Sequence, residues 1–177
     1  EKGVVYADKA IYFSLFNKIL DINAKTLVPT EKGGYKTVKV DHIGTKNDIS
    51  GGVFFDDNQS KTFVYSGIEP GARTVLSYKE VLNEARFFGL FFFNSYIPTV
   101  SAEVSVFVPK SVKIHYKLFG IKESELEFQK YETSKGTTYS WKAKNMKRYQ
   151  TESDAPTIRY YSPHIVILIE EYTIKGE

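Results

Sequence analysis

"TVSAEVSVFVPKSVKIHYKLFG", from Thr99 to Gly120, decides the fold. Val100, Ala102, Val104, Val106 and Val108 fall on one phase; Thr99, Ser101, Glu103 and Ser105 fall on the other. In a strand, successive side chains point to opposite faces, so this alternation predicts one apolar face and one solvated face. Pro109 and Lys110 interrupt the pattern. It resumes with Val112, Ile114, Tyr116 and Leu118 set against Ser111, Lys113, His115 and Lys117, and Gly120 ends it.

The same period recurs outward from this stretch. "KAIYFSLFNKILDI" (residues 9–22) puts Ile11, Phe13 and Leu15 on one face and Tyr12, Ser14 and Phe16 on the other. "KTVKVDHI" is short and alternating. "KTFVYSGIEPGARTVLSY" reads as a hairpin whose turn is Glu69-Pro70-Gly71-Ala72: proline presets φ at the second position and glycine permits positive φ at the third. "ELEFQKYE" and "TTYSWKAK" flank Ser134-Lys135-Gly136, a second hairpin signal. "HIVILIEEY" is apolar on both phases from Ile165 to Ile169, as a strand covered on both faces would be. Helical signals are few: "SYKEVLNEARFF" holds a turn or two at most, or extends the preceding strand. The polar segment from Asn145 to Pro163 reads as a long loop.

Roughly nine to eleven such strands, evenly spaced with turn signals between them, predict an all-β chain built as an antiparallel β-sandwich. No repeat and no long linker divides it, so residues 1–177 are expected to form a single sandwich domain. At 177 residues the chain can bury about 70% of its unfolded surface without staples. A hydrophobic content of 42% against 25% charged residues excludes a disordered chain. The 13 Tyr and 13 Phe favour strands, where flat rings pack on a pleated surface.

"RFFGLFFFNSYIPTV" (Arg86–Val100) is the richest aromatic stretch, with five phenylalanines in its first eight residues. A bilayer span needs about 18–20 apolar residues, and Gly89, Asn94, Ser95 and Pro98 interrupt this run. No membrane span is expected. By strand phase, Phe87, Gly89, Phe91 and Phe93 share one side, and Phe88, Leu90 and Phe92 share the other. With both sides apolar, a central strand covered on both faces is expected, with contact to a neighbouring domain as the second reading and a ligand floor as the third.

Several chemistries are excluded or weakened. Without cysteine there is no disulfide, thiolate metal site or cysteine nucleophile. His42, His115 and His164 lack the spacing of a zinc helix, and each is expected to be structural or exposed. No nucleophile elbow or phosphate loop occurs. A serine triad needs no local motif, because its members meet in space. Asp56-Asp57-Asn58 lacks the glycine and distal glutamate of a calcium loop and reads as a polar turn. Asn58-Gln59-Ser60 matches a glycosylation sequon, which implies only a surface turn. Lys142, Lys144, Lys147 and Arg148 lie beside Trp141 and Tyr149, but a net charge of +3 is weak support for nucleic acid, and a solvated face explains the lysines.

Five pieces occur in order: "GIEPGARTVLSY", the Phe-rich segment with Ile97-Pro98, "VSVFVPKSVKIHY", "GTTYSWKAKNM" and "APTIRYYSPHIVI". Together they resemble the bacterial domain of unknown function that precedes a transglutaminase-like, cysteine protease-like core in exported multidomain proteins. The resemblance covers roughly Ala10 to Glu170. It implies a β-sandwich without assigned activity, the catalytic Cys-His-Asp set belonging to the domain that follows. It supplies no functional residues to carry over.

The expectation is therefore a non-catalytic accessory domain, with no catalytic residues, metal ligands or cofactor. Its partner would be a neighbouring transglutaminase-like domain, or that domain's peptide substrate. The chain starts at Glu1 without a leader, which fits a signal peptide removed or a piece of a longer protein, exported to the periplasm or cell surface. Two alternatives remain: a carbohydrate-binding module using exposed aromatics, and an adhesion or docking module using an open sheet edge. The candidate interaction surface comprises Phe87, Phe91, Phe93, Trp141, Tyr149, Tyr160 and Tyr161. A flat, solvent-facing row of Trp141, Tyr149, Tyr160 and Tyr161 would favour sugar.

Overall fold

The structure, a computed structural model, describes residues 6–48, 57–84, 88–149, 154 and 156–173. Among the described residues are twelve strands, all paired antiparallel, and two single-turn 3-10 helices, Glu123–Glu125 and Ile158–Tyr160. The chain is all-β. The expectation of one sandwich meets a finer organisation: two compact units, Glu1–Glu84 and Ala85–Glu177, each with its own core.

In the first unit, β1 (Asp8–Phe13), β5 (Gln59–Val64) and β4 (Gly44–Asn47) form one sheet in that order. β3 (Tyr35–Lys39), β2 (Asn17–Pro29) and β6 (Arg73–Leu82) form the other. Ile11 and Phe63 from the first sheet meet Ile19 and Ala24 from the second in one cluster, so the two sheets share a core. The run from residue 9 to 22 is not one strand. Asn17 Oδ1 accepts the Ser14 N–H at 2.7 Å, and this turn carries the chain from one sheet into the other.

The turn at Glu69–Ala72 forms as expected: the Ala72 N–H donates to Glu69 O at 3.0 Å, and Gly71 has φ of 83°. The hairpin does not form. Both edges of β5 are taken by β1 and β4, so β6 pairs with β2 in the other sheet. "SYKEVL" extends β6 and starts no helix. Within β2 the inward phase changes. Ile19 is buried, and beyond a register shift between Leu20 and Asn23 the buried residues are Ala24 and Thr26. Asp21 adopts φ of 53° there, a left-handed conformation that Asp tolerates better than most residues.

In the second unit, β10 (Glu127–Glu132), β11 (Gly136–Met146) and β8 (Thr99–Pro109) form one sheet; β7 (Leu90–Phe92), β12 (His164–Tyr172) and β9 (Val112–Phe119) form the other. β10 and β11 make the expected hairpin, closed by the Thr133 N–H to Gly136 O bond at 2.8 Å. Along β9 the half-buried residues are Val112, Ile114, Tyr116 and Leu118, and the exposed ones are Lys113, His115, Lys117 and Phe119. The core joins Trp141 and Ala143 of β11 to Ile165 and Ile167 of β12, with Phe93 and Leu126. Trp141 lies against Tyr116 at 4.8 Å and Phe128 at 5.5 Å between ring centroids.

The Phe-rich stretch differs from the central strand expected of it. Among the described residues β7 is a three-residue edge strand paired with β12 alone. Gly89 explains the approach. Its φ is 108°, and a β-carbon there would lie 1.8 Å from Ile167 O, while the Ile167 N–H donates to Gly89 O at 2.6 Å. Only glycine admits a contact this close. Phe93 is completely buried and Phe88 and Phe91 pack against the same core, whereas Leu90 faces solvent. Rings from both phases are covered, with Phe92 lying 5.1 Å from His164, and Leu90 alone of β7 is exposed. No described helix is long and apolar enough to cross a membrane.

Candidate functional site

Three of the seven residues expected to form an interaction surface, Phe91, Phe93 and Trp141, belong to the core or pack against it. Trp141 and Phe93 have no exposed surface, and Phe91 packs edge-on against Phe93 at 5.4 Å. They hold the second unit together and are not available to a partner. Phe87 lies outside the described residues. Tyr160 is 80% exposed, Tyr161 is at the margin of exposure, and Tyr149 is half-buried. Without Trp141, these four rings make no flat solvent-facing row, which removes the observation that would favour sugar.

What the second unit does assemble is an open cleft where three segments converge. The first runs from Asn94 into the start of β8. The second leaves the end of β11, where Asn145 takes φ of 53° and turns the chain outward through Lys147 to Tyr149. The third, Tyr161–Pro163, leads into β12. Main-chain bonds stitch them together: the Tyr149 N–H donates to Ser95 O at 3.0 Å, and the Phe93 N–H donates to Pro163 O at 2.9 Å. The Asn94 side-chain amide donates to Lys147 O at 3.5 Å.

Two polar atoms at this cleft are buried without a hydrogen-bond partner, Asn94 Oδ1 and Ser162 Oγ. Buried polar groups are ordinarily paired, so each such case calls for an explanation. Lys147 and Arg148 line the cleft, and among the described residues no acidic one does. The remaining lysines of the basic run behave otherwise: Lys142 lies 3.6 Å from Glu103, and Lys144 pairs with Glu127. Lys144 holds the Glu127 carboxyl below its ordinary range through that hydrogen bond. The strand half of the run is therefore neutralised by its neighbours.

No serine–histidine couple forms here. His164 is buried, stacks on Phe119 at 4.9 Å, and has Nδ1 2.8 Å from Ser162 O. A carbonyl oxygen only accepts, so Nδ1 carries the proton, and the ring fixes the segment entering β12. His115 and His42 are exposed. Asp56 lies outside the described residues, and Asp57 Oδ2 accepts the Leu15 N–H at 2.7 Å, a contact with the turn after β1. No group of residues suited to a metal ion occurs among the described residues.

Asn94 and Ser162 carried no local signal. They are remote in sequence, and neither belongs to a motif; only the folded chain brings them to one cleft.

No curated protein matches the chain. A crystal structure from Parabacteroides distasonis ATCC 8503, described as a "putative protease", shares the fold with a TM-score of 0.74 at 18% identity. The match covers 92% of this chain and 32% of that one, so the chain spans about a third of that protein. Residues 1–150 match the family described as a domain of unknown function with a solved structure, DUF3857, and the chain belongs to that family.

Proposed function

We propose that the chain is a non-catalytic accessory domain of a transglutaminase- or protease-like bacterial protein, positioning the neighbouring catalytic domain or that domain's peptide substrate. The observation that carries the reading is the coverage: nearly all of this chain corresponds to about a third of the neighbour, leaving room there for a separate catalytic domain. The absence of cysteine and the role of His164 in the core agree with it, since neither supplies a nucleophile–base pair. The transglutaminase-like partner and a location outside the cytoplasm, periplasmic or at the cell surface, come from the sequence resemblance.

The test is an activity assay on the purified chain, using a fluorogenic peptide mixture and an amine-incorporation substrate. No peptide-bond cleavage and no amine incorporation are expected. Turnover that stays with the protein through a second, orthogonal purification would overturn the reading.

A further inference from the structure

We propose that the cleft between β8, the end of β11 and the segment entering β12 binds an extended peptide segment bearing a carboxylate. The inference deepens the accessory reading by giving the second unit a ligand class of its own, and it rests on that reading only for its biological setting.

Three features define the ligand. Asn94 Oδ1 is buried, accepts hydrogen bonds only, and has no donor. Ser162 is 1% exposed, and its hydroxyl is likewise unpartnered. A ligand must offer a donor to Asn94 Oδ1, while the Ser162 hydroxyl can either donate or accept. A peptide meets both with alternating N–H and C=O groups, whereas a fully ionised inorganic anion offers no donor. Second, among the described residues Lys147 and Arg148 line the cleft with no acidic neighbour in the lining, and neither forms an ion pair. That charge balance selects an anion, and the guanidinium fork suits a carboxylate. Third, among the described residues β8 pairs with β11 alone, and Thr99 and Val100 at the start of β8 line the cleft. An extended segment can add its main-chain hydrogen bonds there. Pro98, Met146, Tyr149 and Tyr161 supply apolar and aromatic walls for its side chains.

A nucleic acid would also answer the two cations. It is disfavoured because the remainder of the basic run is already paired with Glu103 and Glu127.

The test uses the 177-residue chain and an array of random short peptides. Each peptide is made in acidic and amide-matched versions (Asp→Asn, Glu→Gln), with free or amidated C-termini. Hits are expected to keep a carboxylate, and the C-terminal arm tells whether it comes from a side chain or the chain end. For the best hits, the double variant Lys147→Glu/Arg148→Glu should bind about tenfold more weakly, as expected for the loss of one good charged contact. Ser162→Ala should also weaken binding by about tenfold, the loss of one buried hydrogen bond. It should leave the thermal midpoint unlowered, because that hydroxyl makes no bond within the chain. A merely structural serine would show the reverse pattern. The proposal is overturned by any of four results: no hit above background, equal binding of the amide-matched peptides, unchanged binding by Ser162→Ala, or single-stranded RNA bound more tightly than every peptide. None of these touches the absence of turnover, so the accessory reading would stand or fall separately.

Discussion

The two units exclude water in different ways. In the second, the side chains with essentially no exposure are led by Trp141, Phe93, Ile165 and Ile167, three of them at 0%. In the first, the fully excluded side chains are the hydroxyls Thr26 and Ser60, while Ile11, Ile19, Phe63 and Tyr65 keep 5–9% of their surface. Stability scales with apolar area removed from water, so the second unit should be the more resistant. It also frames the cleft that Asn94 and Ser162 line. A preorganised binding site needs rigid supporting elements, and the closed aromatic core beneath β11 and β12 provides them.

The largest expected effect breaks that core. Trp141→Ala should destabilise the second unit by about 3–5 kcal/mol, measured by urea unfolding. Phe63→Ala in the first unit should fall at the bottom of the same range, about 3 kcal/mol, because its surroundings are less closed. Equal costs would erase the distinction between the cores. Gly89→Ala comes next, at about 2–3 kcal/mol, since both its positive φ and the 1.8 Å approach to Ile167 must be relieved. Loss of amide protection at Ile167 by hydrogen exchange would locate the damage.

Thr26→Val reverses the sign. Thr26 Oγ1 is buried without a partner, so a methyl of similar shape should raise stability, by about 1 kcal/mol or a few degrees in Tm. A lower Tm would mean that this hydroxyl is bonded after all.

The smallest effect is electrostatic. Hydrogen bonds from Lys144 and Lys130 lower the pKa of Glu127 and Glu132 respectively. A carboxylate with a lowered folded-state pKa contributes stability above its unfolded pKa and loses it as pH falls through the folded value. Both carboxyls should therefore take up their protons below the ordinary glutamate range. Both groups are fully exposed, so NMR titration of their side-chain carboxyls is the suitable readout, and ordinary glutamate values would contradict the pairing.

How far these properties were legible depends on whether a local period carried them. β8, β9 and the β10–β11 hairpin were readable because each has one buried and one wet face, and alternation reports that directly. The bulge at Asp21 was not, because one extra residue flips the inward phase. The turn at Glu69–Ala72 was readable from Pro70 and Gly71, but its destination was not: turn chemistry sets a local bend, while the pairing of β6 with β2 depends on which sheet edges are already occupied. The five phenylalanines suggested cover on both faces, and Gly89 shows why a short edge strand sufficed. The cleft was least legible. Asn94 and Ser162 meet only in space, and the aromatic residues chosen for exposure included Trp141, whose size is what places it in the core.

The accessory account turns on binding without conversion. A complex peptide mixture passed over the immobilised chain, with bound and unbound fractions read by mass spectrometry, tests both halves at once. Carboxylate-bearing peptides are expected to be retained at their original masses, and retention should fall on the Lys147→Glu/Arg148→Glu variant. Cleaved or cross-linked peptides that increase in proportion to the amount of chain would contradict it.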